Sequence, residues 1–267
     1  MKQNHLSLSL GLRQLVEASA AYWGAEAEVI RSYWDSPIRS KETDRKWLIH
    51  QVYKEYCNGV VPYLEMLNKN IANITTSESR HKLLEASEIV YEEIEHFSMF
   101  SDLYSMIDGS DYKLTPEELS QTGCWQENDE LMSLRKKHRQ QSESLGDRAM
   151  RFTEGGYVAL FSEGMKLAGR NAFDSAVAEV CKRIHDDEFS HMLIGIVETD
   201  CESLSVQDWE TLQQFTVEQL KKRILMRNAQ FSYPISETRI NEMLEGKALP
   251  VKFDFEYASR LLSNEAA

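Results

Sequence analysis

Glu93-Ile94-Glu95-His96 and Glu188-Phe189-Ser190-His191 stand about ninety residues apart, each inside a long segment with helical periodicity. On an α-helix, positions i and i+3 share a face one turn apart. Each tetrapeptide can therefore turn a carboxylate and an imidazole towards one point. Glu78-Ser79-Arg80-His81 also fits the pattern, so the neighbours must separate the three. Ile89, Val90 and Phe97 lie one turn from Glu93, and Ala86 and Phe100 two turns away; Cys181, Ile184, Met192 and Gly195 surround Glu188. A carboxylate on an apolar stripe is costly unless it is paired or binds a metal. Beside Glu78 lie Lys82 and Glu85, which describe a solvated face.

Outward from these motifs the chain reads as helix throughout. Residues 7–34 form an amphipathic helix ended by Ser36-Pro37. Thr43 or Asp44 opens a second helix to about Leu67, kinked near its end by Pro62. After a polar loop around Asn73, Ser77 caps a third helix to about Ile107, stopped by Asp108-Gly109-Ser110-Asp111. Thr115-Pro116-Glu117-Glu118 is a capping box with Pro at the first helical position. Residues 127–144 look like an exposed, charged helix, and 147–168 like a continuous apolar one ended at Gly169-Arg170-Asn171. A helix to about Thr199, another over 206–229 and short ones near 236–245 and 253–263 complete the chain.

Composition agrees. Hydrophobic residues make up 42% of the 267, while Gly (12) and Pro (5) are scarce. The expectation is an all-α protein, one helical domain over 1–267 with a bundle core at about 43–199. A net charge of −13 argues against binding nucleic acid as the main role. No apolar stretch reaches about eighteen residues, so no membrane span is expected. The first thirty residues lack the apolar run of a signal peptide, and Cys57, Cys124, Cys181 and Cys201 show no Cys-x-x-Cys spacing. A soluble, cytoplasmic protein with reduced thiols is expected.

Antiparallel hairpins give a test for further carboxylates at the height of the motifs. Glu93 lies 20 residues beyond Asn73, and Glu55 lies 18 before it; Glu65 is only 8 before. Glu188 lies 17 beyond Asn171, and Glu154 lies 17 before it; Glu163 is only 8 before. Leu48, Val52 and Gly59 share the face of Glu55, and Met150, Tyr157, Val158 and Phe161 flank Glu154. In each hairpin the residue at the matching height is also the one on the apolar face. Glu55, Glu93, His96, Glu154, Glu188 and His191 are therefore the candidate metal ligands.

With these six in place, residues 43–199 resemble the ferritin-like di-iron carboxylate superfamily. The resemblance implies a four-helix bundle whose second and third helices are joined by a long crossover, here residues 108–146, with further helices flanking the bundle. It implies two iron ions, with manganese as the alternative. Glu93 and Glu188 would bridge them, while Glu55, Glu154 and the two His would bind one ion each. Phe100 occupies the place where the radical-generating ribonucleotide reductase subunit carries a Tyr. Val158 stands where the multicomponent monooxygenases usually carry a Thr. The aryl-amine N-oxygenases have an extra His one turn before the second motif; here that place is Ile184, with His185 next to it.

His185 becomes a seventh ligand only if the helix bulges there; otherwise it is an outer-layer or surface residue. Asp187 is read either as a partner to a ligating His or as solvated. Gly155-Gly156, unusual in a helix, means either close packing or room beside the metals. The function expected is a non-haem di-iron oxygenase or oxidase. It would act on dioxygen and a small organic substrate, free or carrier-bound, with an external reductase or ferredoxin as electron donor. A ferroxidase, iron-storage or peroxide-consuming protein is the alternative, and a non-catalytic helical interaction protein the third reading. A homodimer is compatible with each.

Overall fold

Side-chain caps decide where most of the helices begin. The computed structural model describes residues 9–72, 74–109, 111, 113–200, 204–258 and 260, with no side-chain description at 78, 108, 194 and 197–200. In chain order the α-helices are α1 (Leu10–Trp34), α2 (Lys41–Tyr53), α3 (Val61–Ala72), α4 (Ser77–Asp108), α5 (Pro116–Gly123), α6 (Gln126–Gln141), α7 (Glu143–Phe152), α8 (Ala159–Met165), α9 (Ala172–Asp200), α10 (Val206–Gln230) and α11 (Glu237–Leu244). The protein is all-α, with no strand among the described residues. No helix among them is long and apolar enough to cross a membrane.

Ser9 caps α1, and Thr115 with Glu118 closes the expected capping box on α5. On α2 the cap is Ser40, three residues before the expected start, with Thr43 as its reciprocal partner. Thr76 and Ser79 do the same for α4, which Gly109 ends in the left-handed region at φ 65°. Of the helix expected over 253–263, residues 255–258 and 260 are helical, and the remainder past 260 lies outside the described residues, as do Asn73 and Cys201.

Two hairpins face each other. α4 packs on α2 and α3, α9 packs on α7 and α8, and α4 meets α9 between them. α10 lies against α1, α6 and α7. One buried apolar cluster runs from Leu12 to Ala258. Near its centre the Trp47 ring lies 5.4 Å from that of Trp34 and 5.5 Å from that of Phe231. Residues 127–144 are not the exposed helix their charge suggests. α6 buries Asn128, Leu131 and His138 against its neighbours.

Two segments leave the α-helical path, and both carry candidate ligands. Between α2 and α3, residues Lys54–Val60 form a π-helix. A kink at Pro62 is the sequence expectation; the structure instead widens the turn before it. Pro62 has no N–H to return to the Asn58 carbonyl, and its ring crowds that carbonyl, so the wider turn relieves both. The helix expected over 147–168 is broken. Gly155, Gly156, Tyr157 and Val158 have φ of 62°, 56°, 43° and 50°, separating α7 from α8. Left-handed backbone is costly at Tyr157 and more so at β-branched Val158. Packing holds it. The Tyr157 ring lies 5.0 Å from Trp23, 5.0 Å from Phe253 and 5.2 Å from Phe189. Its hydroxyl accepts from the Asp254 N–H at 2.9 Å.

The break changes what alanine does at the two glycines. Neither sits in a helix interior, so no propensity is gained. At Gly156 a Cβ would stand 2.3 Å from Glu26 Oε2 and 2.6 Å from Arg223 Nη2. At Gly155 it would stand 3.4 Å from Glu188 Oε2. Gly155→Ala should cost about 1–2 kcal/mol through its φ. Gly156→Ala should cost about 3 kcal/mol or more, because it also displaces a buried ion pair. Denaturant titration of both variants reads this; a gain in stability at either position refutes the argument.

Candidate metal centre

The four segments that carry the candidate ligands meet in the interior. Glu55 comes from the π-helix, Glu93 and His96 from α4, Glu154 from the break after α7, and Glu188 and His191 from α9. Glu55, Glu93, His96, Glu188 and His191 are all buried, and ligand atoms of Glu55, Glu93 and His96 lie within 4.8 Å of one another. Glu154 is half-buried because it faces a small cavity that Glu55, Glu93 and Glu188 also line. That cavity measures about 30 Å3, room for one or two waters.

The two imidazoles are arranged alike. His96 Nδ1 lies 3.8 Å from Glu188 Oε1, and His191 Nδ1 lies 3.9 Å from Glu93 Oε1. Both distances exceed a hydrogen bond. They match the ~3–4 Å between two ligand atoms on one ion. His96 Nδ1, His191 Nδ1 and Glu188 Oε2 are buried without a hydrogen-bond partner. Buried polar atoms are seldom left so. Each outer nitrogen, by contrast, is held. His96 Nε2 pairs with Asp187 Oδ2 at 3.2 Å, and His191 Nε2 with Glu92 Oε2 at 2.9 Å. A carboxylate on the far nitrogen fixes the ring and raises its basicity towards a metal.

The holding is crossed. Glu92 of α4 secures the histidine of α9, and Asp187 of α9 secures the histidine of α4. Both acids directly precede a motif glutamate, giving Glu92-Glu93-x-x-His96 and Asp187-Glu188-x-x-His191. That doubled acid was legible in the sequence, although only Asp187 was weighed and Glu92 was missed. Arg183 anchors Asp187 at 3.0 Å.

Gly59 makes room for Glu93. A Cβ there would stand 2.1 Å from Glu93 Oε2. Tyr63 of α3 was also missed: the charge on Glu154, then burial, Glu93 and Glu188, hold its phenol well above its ordinary pKa. Asn128 and Arg135 of α6, with Lys54 and Arg223, also line the cavity. Their approach depends on how α6 packs, which its charge pattern hides.

The rejected carboxylates stay outside. Glu65 and His81 are exposed. Glu163 is buried, but by ion pairs with Arg31 at 3.1 Å and Lys166 at 2.7 Å. The side chain of Glu78 lies outside the described residues. His185 does not join the ligands. α9 has no bulge, and His185 Nδ1 pairs with Asp186 at 2.8 Å.

So many buried carboxylates cannot all be ionised without a cation. Burial, with Glu188 and Glu55 close by, pushes Glu93 well above the ordinary carboxylate range. Burial and Glu188 raise Glu154 as well. Burial works against charge on Glu188, but Lys54, His96 and His191 more than offset it and keep it ionised. Burial also opposes charge on His191, yet the Glu92 hydrogen bond and the charges of Glu154, Glu188 and Glu93 push its pKa up to about 10. The donors, two imidazoles and four carboxylates, fit a pair of iron or manganese ions. No family model matches the chain, and neither a curated protein nor a solved structure does.

Glu92→Gln and Asp187→Asn should each weaken metal binding about ten- to a hundredfold while the fold persists. Competition titration against a chelator measures this, and unchanged affinity in both would remove the role assigned to the crossed carboxylates. A pH effect follows from the raised groups. Metal-free, folded Glu93, Glu154 and His191 hold protons that the unfolded chain has released, so the metal-free fold loses stability as pH rises. Metal binding replaces those protons. The Tm gap between metal-loaded and metal-free protein should widen from about pH 5.5 to about pH 8.5. A constant or shrinking gap contradicts the charge assignment.

Proposed function

We propose that the chain is an oxygen-activating non-haem di-iron oxidase or oxygenase built on a ferritin-like bundle. It acts on a small organic molecule and takes electrons from a separate reductase or ferredoxin. One observation carries the reading: two buried imidazoles turn unpartnered Nδ1 atoms towards a cluster of carboxylates, while a further carboxylate locks each Nε2. His50 Nε2 is also buried without a partner, but at the candidate site two such imidazole nitrogens, from opposite helices, stand beside four carboxylates.

Two iron ions bound there would supply the electrons and the electrophilic pull that reducing dioxygen requires. The chain's own groups do the rest. Glu93 and Glu188, from facing helices, would be the ligands shared by two ions, with Glu55, His96, Glu154 and His191 completing the set. Glu92 and Asp187 hold the rings in one orientation. Phe100, Val158 and Phe161 are buried around the ligands and keep bulk water out.

The protein, reconstituted without oxygen, should bind about two ferrous ions per chain and consume dioxygen when it is admitted. Glu93→Ala or Glu188→Ala should empty both positions, whereas Glu55→Ala should retain one ion. Metal analysis decides: zero or one tightly bound ion in the parent protein sinks the two-metal model, and equal losses in all three variants refute the bridging assignment alone.

A further inference from the structure

The cavity beside the candidate ligands is lined by groups of both charges. Glu55, Glu93, Glu154 and Glu188 share it with Lys54, Asn128 and Arg135, and Lys54 stands 4.0 Å from Glu55. Arg135 is held at its far end, where Nη2 donates to Thr153 Oγ1 at 3.3 Å and Nη1 rests on Met132 Sδ at 3.9 Å. Its Nε is buried and has no partner. Asn128 is 1% exposed. Its Oδ1 accepts from Asn58 at 3.3 Å, which leaves Nδ2 buried and unpartnered as well. Two hydrogen-bond donors, one of them cationic, thus line one small space with nothing to accept from them.

Charge makes the same point. Arg223, the other guanidinium on the cavity, makes a two-point pair with Glu26, a carboxylate it shares with Arg227. Arg135 forms no ion pair with a carboxylate among the described residues. Burial and the nearby Arg223 hold its pKa down, to about 10, and the charge of Glu154 acts against them. Metal ions bound to Glu154 and its companions would cancel that negative charge and leave Arg135 as an uncompensated cation in the interior. A buried unpaired charge is expensive. An anion that arrives with the reaction removes the cost.

We propose that Arg135 Nε and Asn128 Nδ2 are the docking point for the carboxylate of the substrate, and that the substrate is a small organic acid. Arg offers Nε as one prong of a fork matched to a carboxylate, and the Asn amide offers a second donor to the same group. Only the headgroup needs to fit the space described. The inference deepens the di-iron reading and rests on it for the word substrate, but the docking itself can be measured without turnover.

The probes are acetate and butyrate, with butyramide as the uncharged control. Each is titrated calorimetrically into zinc-loaded and into metal-free protein, with zinc content measured separately. Butyrate should bind the zinc-loaded protein, more weakly the metal-free one, and butyramide neither. Arg135→Gln should weaken butyrate on the order of ten- to a hundredfold with zinc content unchanged, and Asn128→Ala several-fold. Arg135→Lys guards against a folding defect: it keeps the charge, loses the fork, and should bind butyrate at an intermediate level. Equal binding by parent and Arg135→Gln would mean that the acid sits on the metal or elsewhere, which overturns the proposal. Absence of butyrate binding in both forms of the parent protein overturns it too, and indicates that the two donors serve only water. Failure to take up zinc would instead strike the metal reading, and the metal-free titration would still decide the docking.

Discussion

Everything in this structure answers to one electrostatic constraint: Glu55, Glu93, Glu154 and Glu188 share one small interior cavity. Isolated, each would pay several kcal/mol for leaving water, and together they repel. The protein can relieve this with protons, with fixed cations or with metal ions. It uses fixed cations sparingly near the ligands. Lys54 stands 4.0 Å from Glu55, Arg223 pairs with Glu26, and Arg135 bonds Thr153. Protons take up part of the rest, as the raised Glu93 and Glu154 show. Neither remedy uses His96 Nδ1, His191 Nδ1 or Glu188 Oε2, which are buried without hydrogen-bond partners.

The constraint explains which parts of the molecule could be read from its sequence. Glu55 and Glu154 were separable from Glu65 and Glu163 because an antiparallel hairpin ties distance from the loop to height along the bundle. Glu163 shows the limit of burial alone as a guide. It is buried like a ligand, yet Arg31 and Lys166 account for its charge. The break at Gly155 left little trace, since a Gly pair inside a periodic segment also fits a weakened helix. Its cause is tertiary. Glu26 and Arg223, far away in the chain, occupy the space that a side chain at position 156 would need. The π-helix before Pro62 adds no compositional mark to an α-helical pattern. Asn128 and Arg135 were hidden for another reason. On a helix as charged as α6, the residue that faces inward is chosen by the helices it packs against.

The carboxylates divide by the kind of backbone that presents them. Glu93 and Glu188, each with its histidine, sit on uninterrupted helices, where i and i+3 already share a face. Glu55 and Glu154 have no such companion, and both sit on irregular backbone. A regular helix can offer one turn's width to a site that a neighbouring helix must also reach. The wide turn at Lys54–Val60 and the tight turn that Glu154 opens, just before the left-handed residues, take each carboxylate out of a regular α-helix. Strain at such positions persists only where the surroundings over-determine it. The aromatic cage around Tyr157 is the restraint of that kind on the second hairpin.

α10 supplies no candidate ligand, yet it governs one. Arg227 donates to Glu26 Oε1 at 2.9 Å and to Gln51 Oε1 at 3.0 Å, and Gln51 in turn donates to Glu55. Gln230 donates to the same Gln51 oxygen at 3.0 Å. With its oxygen fixed from two sides, the Gln51 amide can present only its NH2 to Glu55, so the orientation of that carboxylate is set by residues on another helix. Each member of the chain is buried, so none can turn to water if its neighbour is lost. Such networks are costly when half satisfied and specific when complete. A helix remote from the centre therefore limits the positions Glu55 can take, and the flanking elements are part of the site's geometry as well as its cover.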